Sequence, residues 1–210
     1  MTNVRSTSLT TIGHNPMAFI ASIVEGHGEV EALPALLHRL AAQPGVPFGL
    51  RVAPPIRVKL GSFLHDQEYF RRHVELAASK AIDYGGAVLI LLDCDDGCPA
   101  ELGPDLLARA QKVRGDALFL VALAYREFET WFMAAAESLR GKFGLPENLV
   151  RPEHFESIRD AKGWLGKNMP NGYDPLRHQH LMAKAIDLDQ ARAAKSFHRL
   201  ALRLPLILKP

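Results

Sequence analysis

The chain has 210 residues, 48% of them apolar, and a formal net charge of +2 at pH 7. That length suits one domain of moderate size, that apolar content builds a core without disulfides, and that charge neither demands nor excludes nucleic acid. Two cysteines are too few for a disulfide framework and fit a reduced, cytoplasmic setting; no apolar run approaches the ~20 residues that span a bilayer, so no membrane partner is expected.

Residues 1–17 open "MTNVRSTSLTTIGHNP", polar and without the apolar centre of a secretory signal, and are expected to form a flexible tail. "MAFIASIV" (17–24) reads as a buried strand rich in Ile and Val. From Val30 the apolar positions 30, 33, 36, 37 and 40 mark one face of a helix. Pro34 would collide with the carbonyl of Val30, so regular helix is expected from about Glu31, with Glu25 and Glu29 in the preceding loop.

"LRVAPPIRVKL" (50–60) is a second extended element, demoted by its double proline to an edge or broken strand. "DQEYFRRHVELAASKAID" (66–83) has helical spacing. "AVLILLD" (87–93) has the continuous apolar character of a buried parallel strand and runs straight into "CDDGCP". "PAELGPDLLARAQKVRG" reads as a helix with a turn inside it, "ALFLVALAY" (117–125) as another buried strand, and "REFETWFMAAAESL" as a helix. The alternation of strand and helix predicts an α/β fold with a mostly parallel sheet of about four strands and helices on both faces, over residues 18–140. Turn signals and one short helix fill the next stretch, and helical segments at 176–187 and 189–202 complete a C-terminal extension, 141–210, packed on the same domain.

In such sheets ligands bind beyond the carboxyl ends of the strands. Three predicted strands end in acid: the first at Glu25, the third at Asp93-Cys94-Asp95-Asp96, the fourth at Glu127 and Glu129. Each signal has an ordinary explanation, since Asp commonly caps a helix and Glu is common in a first helical turn. Three strand ends together are harder to explain, because clustered carboxylates repel; a hard divalent cation removes the conflict.

"VEGHGEVEALPALLHRL", "LILLDCDD" and "AYREFETWFMAA" resemble the Toprim-like domains, in particular the uncharacterised DUF4276 family, which is similar to the nuclease half of the overcoming-lysogenization-defect (OLD) proteins. The resemblance covers roughly residues 18–138 and implies a Toprim-like fold that holds one or two Mg²⁺ or Mn²⁺ ions and acts on nucleic-acid phosphodiesters, DNA sooner than RNA. It matches Glu25 to the glutamate after the first strand and Asp93/Asp95 to the D-x-D after the third. Related nucleases match Glu29 to a second glutamate, and Glu127 or Glu129 to a further acid. No ATPase segment precedes these motifs, so coupling to ATP hydrolysis would come from a separate protein; a role in defence against foreign DNA is implied by the resemblance alone, and a homodimer stays open.

The expected chemistry is metal-assisted phosphodiester hydrolysis with Glu25, Glu29, Asp93, Asp95 and Glu127 or Glu129 as ligands. Glu25 is open between ligand and general acid or base. Lys195 in "AKSFHR" is the cation chosen to stabilise developing charge, against the plainer reading of a surface lysine. His27 reads as an exposed loop residue or a proton shuttle. Cys94 and Cys98 could be zinc ligands, a reading weakened by their loose spacing and oxygen-rich surroundings. Trp131 and Phe132 read as core, with Trp164 and Tyr173 the better candidates for stacking on bases. The C-terminal 35 residues carry seven Lys and Arg against two Asp, either a phosphate-binding segment or a solvated amphipathic helix. Two rivals stand beside the nuclease: a catalytically quiet partner of an ATPase, and a nucleotide-binding module. The second is poor because "EGHGEVEA" lacks the G-x-G-x-x-G spacing and the P-loop lysine.

Overall fold

A computed structural model describes residues 17–43 and 49–208; the expected N-terminal tail lies outside the described residues except for Met17. The first half alternates as expected. β1 (Met17–Val24) and α1 (His27–Ala41) are followed by β2 (Gly49–Val52), β3 (Ile56–Arg57), α2 (Leu60–His65) and α3 (Gln67–Asp83). β4 (Ala87–Asp93), α4 (Pro99–Val113) and β5 (Leu118–Ala124) come next. The remainder is helical: α5 (Thr130–Ala134), α6 (Ala161–Lys167), α7 (Pro175–Ala185), α8 (Leu188–Ala191) and α9 (Lys195–Ile207).

The sheet runs β2-β1-β4-β5, with β3 also paired to β1, and every described pairing is parallel. Pro54 and Pro55 break the second extended element into β2 and β3, because proline offers no N–H to a ladder. Side chains alternate between two buried layers. Ile20, Val24, Leu89 and Ala122 face α1, α5, α7 and α9, while Ile23, Ile90 and Leu123 face α3 and α4. Both faces are therefore covered, which explains why β4 is apolar at every position before Asp93. The chain leaves β1 toward β2 and then returns past β1 to β4, so a topological switch lies at the carboxyl ends of β1 and β4, where Glu25 and Asp93 stand.

Five local expectations change. α1 begins at His27, not near Glu31, and continues through Pro34. Burial of Ala32, Leu33, Leu36 and Leu37, together with the Glu29 carboxylate accepting the Gly26 N–H at 3.2 Å, outweighs the local penalty of the proline. α4 likewise runs unbroken through Pro104, with no turn inside it. The helix expected over 126–139 shrinks to α5 and a 3₁₀ turn at Ala136–Leu139, since Arg126 takes a left-handed conformation (φ 65°) and holds the chain as a loop as far as Glu129. The segment 189–202 splits into α8 and α9 at Arg192–Ala194, and α2 arises where no helix is expected.

Candidate active site

Two strand-to-helix turns build the centre of the site. β4 delivers Asp93 as its last residue, and Asp93 Oδ1 accepts the Phe128 N–H at 2.7 Å. Phe128 is fully buried against Trp131 and Phe132, so this bond ties the loop after β5 to the end of β4. The backbones meet as well: Asp95 N–H donates to the Arg126 carbonyl at 3.0 Å, and both residues have positive φ, 46° and 65°. Non-glycine residues in the left-handed region concentrate at functional turns, where surrounding structure holds the strain.

That loop carries Glu127 and Glu129 to Lys162 on α6. The Lys162 ammonium lies 3.4 Å from Asp93 Oδ2, 3.3 Å from Glu127 Oε1 and 3.5 Å from Glu129 Oε2. The backbone N–H of Lys162 also donates to Glu127 Oε2 at 3.0 Å, setting that carboxylate at the N-terminus of α6. Glu129 is 0% exposed; its Oε1 accepts from the Tyr173 hydroxyl at 2.9 Å and the Gln179 amide at 3.2 Å, while its Oε2 has no hydrogen-bond donor. From the other side of the switch, Glu29 is buried and its Oε2 accepts the N–H groups of Glu25 and Gly26, each at 3.2 Å. Glu25 is half-buried and its Oε2 lacks any donor.

The electrostatics follow from this crowding. Burial pushes Glu29 up to about 7, resisted by the Gly26 N–H and reinforced by the charges of Glu129 and Glu25. Burial, then the charge of Glu29, holds Asp93 well above the usual carboxylate range, against the pull of Lys162. Glu129 is raised by burial, with Lys162 and Tyr173 opposing, and Glu25 by burial and by Asp95. For Lys162, burial pulls the ammonium down but Glu129, Asp93 and Glu127 outweigh it, so it stays protonated. One ammonium thus faces five carboxylates, those of Glu25, Glu29, Asp93, Glu127 and Glu129. Protons or a further cation must balance the excess.

A cavity of about 350 Å³ opens onto this cluster, lined by Glu25, His27, Glu29, Asp93 and Lys162, with Pro175 and Gln179 of α7 across from them. α7 closes tightly there: a Cβ on Gly28 would stand 2.0 Å from Gln179 Oε1 and 2.8 Å from the Pro175 carbonyl oxygen. His27 is exposed at the first turn of α1.

The chain matches the family described as "Domain of unknown function (DUF4276)" over residues 24–205, most of its length. It belongs to the DUF4276 family. No curated protein and no solved structure matches it. The DUF4276 match spans both the strand-end acids and Lys162, Tyr173 and Gln179, so the region that supplies the acids and the region that encloses them fall within one family unit.

Of the residues expected at the site, Glu25, Glu29, Asp93, Glu127 and Glu129 come together. Asp95 is exposed and close enough to raise Glu25. Its neighbour Asp96 is bound to Arg126 at 2.8 Å and Arg159 at 3.1 Å. Lys195 does not join them. It starts α9, its side chain is 81% exposed 3.7 Å from Glu156, and it lines a different cavity, because the break before α9 sends the helix along β5. The lysine among the acids is Lys162, which sequence reasoning missed. A signal existed in "RDAKGW": a lysine in the first turn of a helix opposes the helix dipole, and such a placement calls for nearby acid. The Tyr173 hydroxyl donates to Glu129, and Trp164 and Tyr173 pack, partly buried, against the core. Trp131 and Phe132 are fully buried core. Cys94 is buried and donates its thiol to the Gly97 carbonyl at 3.1 Å, and burial pushes it up to about 11, away from the thiolate that zinc needs.

For a divalent ion, the donor chemistry fits: the side chains are oxygen donors, two buried carboxylate oxygens lack donors, and negative charge is in excess. The arrangement is narrower. Among the described residues no three His, Cys, Asp or Glu side chains are grouped to hold one metal ion, and Asp93, Glu127 and Glu129 share the Lys162 ammonium instead. No helix among the described residues is long and apolar enough to cross a membrane.

Proposed function

We propose that this protein is a divalent-metal-dependent nuclease acting on nucleic-acid phosphodiesters. The observation that carries the reading is the meeting of five carboxylates with one lysine beyond the ends of β1, β4 and β5, at the switch in strand order. The resemblance of "VEGHGEVEA" and "LILLDCDD" to Toprim-like and OLD-type nucleases supports it independently of the geometry.

One or two of the carboxylates of Glu25, Glu29, Asp93 and Asp95 would hold Mg²⁺ or Mn²⁺, with water and substrate phosphate completing its ligands and Glu127 and Glu129 behind Lys162. When bound, the ion would supply Lewis-acid polarisation of the phosphate and a more acidic attacking water. Lys162 places a permanent positive charge beside the reacting phosphate, the part first expected of Lys195. Where Glu25 is not itself a ligand, its unpartnered oxygen in the cavity lining can accept the proton of an attacking water. DNA is the expected substrate ahead of RNA, and a separate ATPase the expected partner, on the resemblance alone.

The ion pairing of Lys162 favours one alternative. A lysine that already pairs with three acids can take the place of the ion for good, leaving a catalytically quiet domain that regulates a partner. Calorimetric titration with Mn²⁺ separates the two. The nuclease reading expects saturable binding that Asp93→Ala abolishes, and Mn²⁺-dependent, EDTA-sensitive cleavage of single- or double-stranded DNA or of RNA. Absence of Mn²⁺ binding together with no cleavage of any of these substrates overturns it in favour of the quiet domain.

A further inference from the structure

A second cavity, about 740 Å³, lies away from the acids beside β5. Among the described residues β5 ends the sheet, with β4 its only strand neighbour. The Ala124 carbonyl accepts the Cys94 N–H at 2.9 Å, on the β4 side, so the ladder alternation turns the N–H and C=O groups of Phe119, Val121 and Leu123 to the open side. The next outward N–H, that of Tyr125, is taken by Ser196 Oγ at 3.2 Å. Ser196 therefore caps one end of the edge. Among the described residues no backbone bond covers Phe119 to Leu123 on that side.

Two helices wall this edge. On one face of the sheet α4 presents Pro99, Gly103 and Leu107, every fourth residue and all uncharged. On the other face α9 presents Lys195, Arg199 and Arg203, also every fourth residue; Glu156 lines the same cavity 3.7 Å from Lys195, so among the described residues the unpaired positive charge is that of Arg199 and Arg203. Arg199 and Arg203 are exposed and have no acidic partner among the described residues. Natural sheets usually blunt or cover a free edge; among the described residues this one lies open between an apolar wall and a cationic one.

We propose that the β5 edge is a docking groove for an extended peptide segment of a partner protein, in which apolar and acidic residues alternate. A strand added to β5 would form main-chain hydrogen bonds with Phe119, Val121 and Leu123. Its side chains would point alternately to the two faces, one set against α4 and the other against the Lys195–Arg199–Arg203 stripe. Charge disfavours a second copy: two-fold antiparallel pairing of β5 with β5 keeps the faces in register and sets one α9 stripe beside the other. Nucleic acid would use the stripe but would meet outward carbonyls and an apolar wall. The proposal does not depend on the nuclease reading.

The test is fluorescence polarisation with a fluorescein-labelled peptide of alternating Glu and Val, about eight residues long. Comparison probes are the same peptide with Lys for Glu, the Glu/Val peptide N-methylated at alternate amides, and a dT oligonucleotide. Saturable binding of the Glu/Val peptide is expected, weakened about tenfold by the exposed pair Arg199→Glu, Arg203→Glu. N-methylation and Val121→Pro, which removes an outward N–H, should abolish it. Circular dichroism checks the Val121→Pro fold, and the N-methylated peptide on the wild-type chain asks the same question without a variant. Equal binding of the Lys/Val peptide, indifference to N-methylation, or no binding at all overturns the proposal. So does an oligonucleotide that binds through Arg199 and Arg203 while the peptide does not, or a wild-type dimer by light scattering that Val121→Pro dissociates.

Discussion

Asp93 has two separate duties, and a substitution can divide them. One oxygen anchors the Phe128 N–H, which needs only an acceptor; the other meets Lys162, which needs charge. Asp93→Asn keeps the acceptor and removes a buried charge, so at pH 8 it should leave the fold as stable as wild type or about 1 kcal/mol more so, while losing Mn²⁺ binding. Urea unfolding and calorimetry check the two halves; a loss of stability in Asp93→Asn would show that its charge supports the fold. Lys162→Met should act in the opposite sense, leaving Glu129 and Asp93 without their cation. Its side chain is 39% exposed, so solvent screens part of the loss, and about 1–3 kcal/mol at pH 8 is expected, shrinking at pH 5 as the acids take up protons. The pH dependence of the wild type has a definite sign. Glu29 is raised from 4.5 to about 7, and Asp93 and Glu129 move the same way, so the folded chain holds protons that the unfolded chain has released. Their contribution is complete below the unfolded values and is lost as pH rises through the folded ones. Stability should therefore fall between about pH 5 and 8, on the order of 1–3 kcal/mol by urea unfolding, and Mn²⁺ should raise the melting temperature more at pH 8 than at pH 5.

At the scale of elements, the helix that closes over the acids depends on a glycine. Gly28 lets α7 approach α1 until Gln179 and the Pro175 carbonyl fill the place of a Cβ. Gly28→Ala should cost about 1–3 kcal/mol by overpacking, read as a lowered melting temperature. It should also weaken Mn²⁺ binding by moving Gln179 off Glu129; an unchanged melting temperature would mean that α7 shifts freely. The strands are the elements most legible in the sequence, and for a reason. "AVLILLD" is apolar at every position because both sheet faces are covered, and its span is met at both ends. Helix starts were harder. Pro34 and Pro104 count as breakers locally, yet α1 and α4 run through them; in α1 burial of Ala32, Leu33, Leu36 and Leu37 outweighs one missing N–H. The helix expected after Tyr125 gives way to a loop because Arg126 adopts a left-handed turn, a choice set by the Asp95 and Asp96 contacts that lie 30 residues away along the chain.

For the whole molecule, the C-terminal half is part of the fold's own interior. Phe197 lies edge-on to Trp131 with ring centres 5.3 Å apart, Met182 and Leu200 join the same core as Leu36 and Leu89, and Lys162, Tyr173 and Gln179 enclose the acids. A chain ending near residue 140 would expose that core and leave Glu129 without its donors. It should fail to give a cooperative thermal transition or a dispersed amide spectrum; a well-folded fragment would show the first half to be self-sufficient. The amino-acid sequence determined the alternation of strand and helix, the parallel sheet and the placing of acids at three strand ends, because periodicity and strand-end position are local along the chain. Tertiary structure decided which cation meets those acids, Lys162 and not Lys195, and that among the described residues the β5 edge stands open between a plain and a charged helix. Both depend on how irregular segments after residue 140 return to the sheet, and the free energy that directs them comes from burial against distant partners, which no short stretch of sequence carries by itself.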